Sequence, residues 1–430
     1  MRQGRARQRS VARTVELEIQ SIGARGDGIG RVDGRPVYVP LSQVGDRLRV
    51  RLEMPRGDGT AGRILEVLAP GRGRVPAPCP HFGECGGCAL QHIDDGHYAA
   101  WKVAQVQAAL QRRGFAEPPL RPLVRVAPGT RRRATLAAER AGRAIRVGFH
   151  ARGSHRVVDA TGCLVLTPAL LALLPPLQAA LPAVLAEGER IDITVTSVDA
   201  GIDLVLAARR GLDLTAREVL AALARESHLA RVTWLSRDAP DPIAAYRPVQ
   251  ATFGGVAVDL PPGAFLQPTA AGEAALVAAV TEALGRCTQV GDLYAGCGTF
   301  TFPLARTARV HAVEGDGAAA AALIAAARRA DLTQSVTAAQ RDLARDPLTA
   351  DELARFEGVV FDPPRAGARA QAEMLARSTV GTVVAVSCDP ATFARDTRIL
   401  VDGGYRLLSV TPVDQFIWSP HLELVAVFRR

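Results

Sequence analysis

The sequence has little lysine and few aromatic residues, and it lacks both an uninterrupted apolar segment and a secretory signal. Lysine occurs once, at Lys102, among 52 lysine and arginine residues, and aromatic residues make up only 5% of the chain. The most apolar stretch, residues 164–186, is interrupted by four prolines, which predicts short buried helices rather than a membrane span. The arginine-rich start lacks the apolar segment of a secretory signal. These absences predict a cytoplasmic protein with no membrane contact.

Basic residues exceed acidic ones, and the formal net charge of +9 suits a polyanionic partner such as a nucleic acid. Five arginines fall in the first thirteen residues, and residues 1–14 are therefore predicted to form a disordered basic tail. Near-exclusive use of arginine is also what a GC-rich genome produces. Charge alone therefore supports RNA binding without establishing it.

Seven cysteines are spread unevenly along the chain: Cys79, Cys85, Cys88, Cys163, Cys287, Cys297 and Cys388. An odd number without a secretion signal argues against a disulfide framework. The first three are spaced C-x5-C-x2-C, and together with Cys163 they offer four thiolates to a [4Fe–4S] cluster or to tetrahedral zinc. The residues alone leave both metals open. Cys287 and Cys297 have no evident partner and are interpreted as packing residues.

Changes in patterning along the chain divide it into regions. Short alternating runs with Gly and Asp turns over residues 15–74 predict a small antiparallel barrel of the OB type, a fold that often binds RNA. Residues 75–255 read as an α+β region with a helix over 97–114. From 256 to 430, apolar runs alternate with alanine-rich helical stretches, which predicts a Rossmann-like parallel sheet with helices on both faces. The last strand is expected to be antiparallel, because no helix precedes it.

A glycine-rich turn, "DLYAGCGTF" over residues 292–300, follows the first strand of that predicted sheet. Glycines at such a turn let a ligand approach the backbone closely, and Glu314 at the end of the next apolar run can hold two ribose hydroxyls. A dinucleotide site would need a third glycine where Thr301 stands. The turn therefore favours S-adenosylmethionine (SAM) over a dinucleotide.

The stretch "VVAVSCDPATFARD" ends an apolar run on Cys388. An unpaired cysteine is often a small core residue, but at the carboxyl end of a parallel strand it faces the ligand crevice. A thiolate beside SAM suits uracil, because addition of sulfur to C6 makes C5 nucleophilic. A base must then remove the C5 proton. "HLE" supplies His421 and Glu423, of which Glu423 is the better candidate.

Five motifs in this order resemble the RNA uracil-5-methyltransferase family: "GAFLQPT", "DLYAGCGTFTFPLA", "DPPRAG", "VSCDPATFARD" and "HLE". The resemblance covers nearly the whole chain. It implies a class I SAM-dependent methyltransferase domain, an N-terminal TRAM barrel and a central domain with a [4Fe–4S] cluster. Among family branches, the cysteine quartet resembles the one that modifies 23S rRNA, and the family flips its target uridine out of the stack.

The resemblance also implies roles for individual residues. Cys388 would be the nucleophile and Glu423 the general base, and Phe265 would pack near the flipped base. The residues expected to line the SAM pocket or the uracil edge are Gln267, Tyr294, Glu314, Asp342 and Asp362. The cluster ligands would be Cys79, Cys85, Cys88 and Cys163.

This sequence departs from the family pattern at two points. Ile417 follows Phe416 where the family carries proline, and the helix after Glu314 is nearly all alanine. Three alternatives stay open: a tRNA uracil-5-methyltransferase, a nucleotide-dependent iron–sulfur oxidoreductase, and a non-catalytic RNA-binding protein. The protein is expected to act as a monomer with no obligate protein partner.

Overall fold

The computed structural model describes residues 13–142, 144–236 and 239–430, which form two compact units. The first unit takes the described residues up to Gly83 together with Gly87–Trp101 and Trp418–Pro420. The second takes Glu84–Gly86, Lys102–Ile417 and His421–Arg430. The predicted basic tail falls almost wholly outside the described residues.

The first unit is built on a six-stranded sheet in the order β1-β5-β6-β4-β3-β2. Its strands are β1 (Thr14–Glu18), β2 (Ser21–Ile22), β3 (Gly28–Val32), β4 (Arg35–Val39), β5 (Arg47–Arg56) and β6 (Gly59–Ala69). The alternating apolar residues, including Leu17, Leu48 and Val50, make one buried cluster. The sheet is not wholly antiparallel as predicted, because β6 pairs antiparallel with β5 and also pairs parallel with β4 on its other side.

The helix predicted over 97–114 is α1 (Asp95–Gln111). It ends three residues before Gly114, whose positive φ of 87° marks the turn that follows. From Lys102 onward its residues belong to the second unit, where Val106 and Leu110 are buried.

A seven-stranded sheet forms the central part of the second unit, in the order β10-β9-β8-β11-β12-β13-β14. The elements of this part are β7 (Val124–Arg125), β8 (Arg133–Ala141), β9 (Ala144–His150), β10 (Val157–Asp159), α2 (Pro168–Ala180), β11 (Arg190–Val198), β12 (Gly201–Ala207), α3 (Leu214–Glu226), β13 (Arg231–Leu235) and β14 (Pro240–Ala245). Helices α2 and α3 share a buried core with the sheet. The proline-interrupted apolar stretch forms α2, with Pro168 at its first position, followed by a 3₁₀ turn.

The carboxy-terminal part begins with a hairpin and a helix and continues as a wound α/β sheet. Its elements are β15 (Gln250–Phe253), β16 (Val256–Asp259), α4 (Ala270–Leu284), β17 (Gln289–Leu293), α5 (Thr301–Leu304), β18 (Arg309–Glu314), α6 (Gly317–Arg329), β19 (Val336–Gln340), α7 (Ala350–Leu353), β20 (Gly358–Phe361), α8 (Arg369–Arg377), β21 (Thr382–Ser387), α9 (Pro390–Asp402), β22 (Arg406–Asp414) and β23 (Glu423–Arg429).

The large sheet has eight strands in the order β19-β18-β17-β20-β21-β23-β22-β7. Strands β17 to β21 pair in parallel, whereas β23 runs antiparallel to both β21 and β22. The predicted parallel sheet with an antiparallel last strand is therefore present. Its order reverses at β17, and such switch points are where open α/β sheets bind ligands.

Buried cores lie on both faces of this sheet. Neighbouring strand residues alternate between them: Val360 belongs to the core with α4 and α6, and Val359 to the core with α8 and α9. Burial on both faces explains the nearly continuous valine runs of β20 and β21. Among the described residues, no helix is long and apolar enough to cross a membrane.

Candidate active site

Four side chains that could bind a ligand or take part in catalysis lie at the carboxyl ends of strands, along one edge of the large sheet. Tyr294 follows β17, Glu314 ends β18, Asp362 follows β20 and Cys388 follows β21. These strands are parallel, so their carboxyl ends meet at the same edge. The positions are those at which the sequence predicted ligand-binding residues.

Glu423 reaches the same edge from the opposite direction. It begins β23, and the antiparallel register pairs Leu424 with Ser387. Cys388 and Glu423 adjoin this last pair, and the charge of Glu423 acts on the Cys388 thiol. A thiol and a carboxyl group far apart in sequence are therefore neighbours.

Burial and mutual repulsion raise the pKa values of the acidic groups here. Glu423 is 4% exposed, and desolvation together with the charge of Asp362 raises its pKa to about 8. Desolvation raises the pKa of Asp362 to about 7. The pKa of Cys388 rises to about 12, through desolvation first and then the charges of Glu423 and Asp362. Without ligands, the edge therefore favours protonated, neutral forms.

Two glutamines connect the carboxyl groups. The side chain of Gln267 donates from Nε2 to Asp362 Oδ2 at 3.4 Å, and it accepts from Gln415 Nε2 at 2.7 Å. Gln415 also hydrogen-bonds Glu423, which opposes the rise of that pKa. Both amides are buried. The chain Asp362–Gln267–Gln415–Glu423 thus fixes the two acids relative to each other.

A cation and a neutral imidazole lie beside this chain. The exposed Arg365 has Nη2 3.3 Å from His421 Nε2, and its charge lowers the pKa of Cys388. Desolvation and the charges of Arg365 and Lys102 lower the pKa of His421 to about 4. The imidazole is therefore neutral at pH 7 and accepts a hydrogen bond from Arg365. A group with this pKa and partner is a weaker candidate for the base than Glu423.

Backbone amides hold the Glu314 carboxylate at the glycine turn. Its two oxygens accept from Gly296 N and Asp316 N, each at 2.7 Å. Gly296 has φ 56°, and a Cβ there would meet no atom within 4 Å. The turn thus leaves open space beside a fixed carboxylate, as a ribose-binding site requires.

Tyr294, which follows β17, is influenced by the charge of Asp342. Tyr294 has φ 61°, an uncommon conformation for a bulky residue, and desolvation raises its pKa to about 12 with a contribution from Asp342. Asp342 accepts from Ala344 N at 3.1 Å.

Asp292 is a further acid at the glycine turn, and the sequence interpretation gave it no role. It is 1% exposed, and desolvation raises its pKa to about 7. Oδ2 accepts from Thr301 Oγ1 at 2.6 Å, while Oδ1 has no hydrogen-bond partner among the described residues.

Phe265, two residues before Gln267 in the sequence, is an exposed aromatic residue. Phe265 is 61% exposed, and the Arg133 guanidinium lies 5.5 Å from its ring centroid. Arg133 also donates to the carbonyls of Gly263 and Ala264, which holds the loop that carries the ring. An exposed ring with a cation over one face is suited to stacking on a base.

The four proposed cluster ligands are all of intermediate exposure. Within the described ranges, no group of three or more His, Cys, Asp or Glu side chains could hold a metal ion. The arrangement therefore does not show the predicted iron–sulfur centre.

Sequence reasoning did not assign Arg365, Gln415 or Lys102 to the site. Arg365 stands inside the quoted "DPPRAG" motif, so its cationic character could have been noticed. Gln415 has no signal of its own, because its role comes from contacts with distant residues. Lys102 carried a signal as the only lysine of the chain, but nothing tied it to this edge.

Comparisons with known proteins identify the family. A family model described as tRNA (uracil-5-)-methyltransferase matches residues 256–430, and a TRAM domain model matches residues 8–54. An RNA methyltransferase of uncharacterised specificity from Caulobacter vibrioides is 43% identical, covering 96% of this chain and 100% of the relative. The 23S rRNA (uracil(1939)-C(5))-methyltransferase RlmD of Halomonas elongata is 35% identical, covering 95% and 88%.

A solved structure extends the likeness to the fold. The tRNA (uracil-54, C5)-methyltransferase of Pyrococcus abyssi, in complex with S-adenosyl-L-homocysteine, has a TM-score of 0.75 and 22% identity, covering 96% of this chain and 100% of that one. The wound sheet, with its acidic ligand edge, is that of a class I SAM-dependent methyltransferase. Within that class, the chain belongs to the RNA uracil-5-methyltransferase family.

Proposed function

We propose that this protein methylates C5 of uracil in 23S rRNA through a covalent bond between Cys388 and uracil C6. The observation that carries the proposal is the pairing of β21 with β23, which brings a thiol and a carboxyl group to the same end of the two strands, where the carboxyl charge acts on the thiol. Methyl transfer to C5 requires a nucleophile at C6 and a base at C5, both on one small ring.

The reaction balances with these two residues. The Cys388 thiol releases its proton to solvent, the resulting thiolate adds to C6, and the electron pair of the C5–C6 double bond moves to C5 and the carbonyl. SAM, when bound, supplies a methyl group on a sulfonium. C5 takes that methyl group, and the S–CH₃ electron pair leaves with S-adenosylhomocysteine. The Glu423 carboxylate then removes the C5 proton, and the C–S bond breaks to restore the double bond and the thiolate.

The raised pKa values are compatible with this sequence once ligands bind. A sulfonium cation at the edge favours the ionised forms of Cys388, Asp362 and Glu423, because opposite charges stabilise them. Arg365 already acts in this direction on the thiol. Gln267 and Asp362, hydrogen-bonded to each other, are proposed to contact the uracil edge. Tyr294, Glu314 and Asp342 are proposed to line the SAM pocket.

Trapping with RNA that contains 5-fluorouridine tests the covalent step. Fluorine replaces the C5 proton, so a methylated adduct cannot be resolved, and the wild-type protein should stay bound to the RNA under denaturing conditions. Cys388→Ser should lose both the adduct and turnover. Cys287→Ser is the matched control, because Cys287 is a half-buried thiol that lies before β17. Methylation retained in full by Cys388→Ser would remove the covalent mechanism.

The choice of 23S rRNA rests on the RlmD relative and on the cysteine quartet. A tRNA substrate is the second candidate, because the matching family model and the Pyrococcus abyssi structure both carry tRNA names. Mapping 5-methyluridine in both RNAs, from cells with and without the gene, separates the two. Loss confined to tRNA would overturn the rRNA assignment. The protein is further proposed to act in the cytoplasm as a monomer.

A [4Fe–4S] cluster on Cys79, Cys85, Cys88 and Cys163 is proposed from the spacing of these cysteines and the family resemblance alone. No step of the reaction passes through it, because methyl transfer involves no net electron transfer. Protein purified without oxygen should contain iron and sulfide at about four each per chain. Zinc at one per chain, or no metal, would reject the cluster.

A further inference from the structure

The chain has one lysine, and the fold buries it. Lys102 lies on α1 and is 1% exposed. All other residues among the lysines and arginines of the chain are arginine. Burial lowers its pKa, and the charge of Asp414 opposes that change. A buried ammonium needs hydrogen-bond partners, because desolvation of an unpaired charge is very costly.

The partners of Lys102 lie at the two ends of one connection. Its Nζ donates to Asp414 Oδ1 at 2.9 Å and also to the carbonyl oxygen of His421. Asp414 ends β22 and is itself 1% exposed, while His421 lies two residues before Glu423. The ammonium therefore fixes both the departure of the chain from β22 and its return into β23.

The segment that returns into β23 carries the proposed base. Glu423 is the first residue of β23, and it pairs with Val413 of β22 in the last step of their register. Pairing between strands holds Glu423 through the residues that follow it in β23. Its position therefore also depends on how the residues before it are held. Here the His421 carbonyl, bound to Lys102, supplies that second anchor.

We propose that Lys102 is a positioning residue: its ammonium, paired with Asp414, holds the His421 carbonyl and so directs the Glu423 carboxyl group at the uracil C5 proton. The inference rests on the proposed function. A base displaced by about 1 Å from its productive position costs about 100-fold in rate. The step that Lys102 supports is therefore proton removal, and not the addition of Cys388 to C6.

A role in stability alone accounts less well for this arrangement. A buried ion pair commonly contributes no more to folding than apolar residues of similar size would. An arginine at position 102 would bring a larger planar group, whereas a compact ammonium can bind a carboxylate and a carbonyl in a confined site. Lys102 thus occupies a site where a compact charged group must bind both the Asp414 carboxylate and the His421 carbonyl.

The test separates proton removal from thiol addition. Release of tritium from RNA that carries [5-³H]uridine measures loss of the C5 proton. Adduct formation with 5-fluorouridine RNA and SAM needs Cys388 but not the base. Lys102→Met should slow tritium release about 100-fold, while the fluorinated RNA is still trapped at close to the wild-type rate. A covalent complex with ordinary RNA should accumulate, as expected for a lost base.

Two further variants guard against a folding defect. Lys102→Met with Asp414→Asn removes both charges of the buried pair, yet tritium release should stay slow. Arg210→Met is the matched control: Arg210 pairs with Glu189 at 3.0 Å and donates to the Val184 carbonyl, but in the central sheet region. It should leave the ratio of the two rates unchanged.

The outcomes divide clearly. Equal slowing of tritium release and trapping by Lys102→Met, or wild-type rates of both, would overturn the positioning role. Recovery of tritium release in the double variant would also overturn it, because the defect would then come from the buried charge of Asp414 and not from the loss of the His421 contact. If the wild-type protein forms no adduct with 5-fluorouridine RNA, the proposed function itself fails, and that result is independent of the variants.

Discussion

Replacing Glu423 with glutamine should stabilise the folded protein, and the gain should grow as the pH rises. The carboxyl group is 4% exposed, and desolvation together with Asp362 raises its pKa from 4.5 to about 8. Glutamine keeps the size and the neutral state of the protonated side chain and cannot ionise. The ionised Glu423 carboxylate therefore destabilises the folded protein at the pH at which it must act as a base.

The sign follows from proton linkage. The folded-state pKa is raised, so the stability of the wild-type protein is fully present below pH 4.5 and is lost as the pH rises through about 8. Over that window the unfolded chain ionises at Glu423 while the folded chain resists it. The glutamine variant has no such loss.

The magnitude comes from the size of the shift. A pKa raised from 4.5 to about 8 corresponds to at most about 5 kcal/mol once both states are ionised. Between pH 5.5 and pH 8.5 the advantage of the variant should grow by about 3 kcal/mol, by the same linkage.

Urea unfolding of both proteins at pH 5.5 and pH 8.5, followed by circular dichroism, measures this difference. Glu226→Gln is the matched control, because the Glu226 side chain is 72% exposed, and its effect should not change with pH. An advantage of Glu423→Gln that stays constant or shrinks toward pH 8.5 would refute a neutral, buried base. The same variant should accumulate a covalent complex with ordinary RNA.

Three further changes test other parts of the edge. Asp362→Asn should shift the pH midpoint of adduct formation down by about one unit, because Asp362 raises the pKa of Cys388, and an unshifted midpoint speaks against that coupling. In Glu314→Gln, the amide NH₂ group must face one of the two backbone N–H donors that Glu314 now accepts from. Calorimetry should therefore show S-adenosylhomocysteine binding about 10–100-fold weaker. Unchanged affinity would contradict the assignment of Glu314 to the SAM pocket. Gly298→Ala places a Cβ 2.6 Å from the Phe302 ring at φ +100°, so unfolding should require about 2–4 kcal/mol less; Gly404→Ala, at φ +95° in open space, should lose only about 1 kcal/mol.

The wound sheet was predictable because its signal is local. Buried parallel strands such as β20 and β21 are short valine-rich runs, and each is followed by a helical pattern. The candidate residues at strand ends, including Glu314 and Cys388, follow from the rule that ligands bind beyond the carboxyl ends of the strands. The α1 helix was also found, with its end placed three residues too late.

Other features depend on pairing that periodicity does not encode. The parallel contact of β4 with β6 arises because one long strand serves two neighbours in different directions. The cysteine spacing predicted a metal centre, and the described residues contain no group of three or more His, Cys, Asp or Glu side chains that could hold a metal ion. Spacing along a chain states which ligands are available, and only the fold states whether they meet.

The sequence by itself determined the kinds of chemistry available: a thiol, several carboxyl groups and a glycine turn at the ends of apolar runs. Tertiary structure decided which of them act together. The antiparallel return of β23 brought Glu423 to the end of β21 that Cys388 follows, and burial raised the pKa of both groups. It also placed Lys102 against Asp414, a partner 312 residues away. Register and burial are long-range properties of the packed chain, and no local pattern of residues contains them.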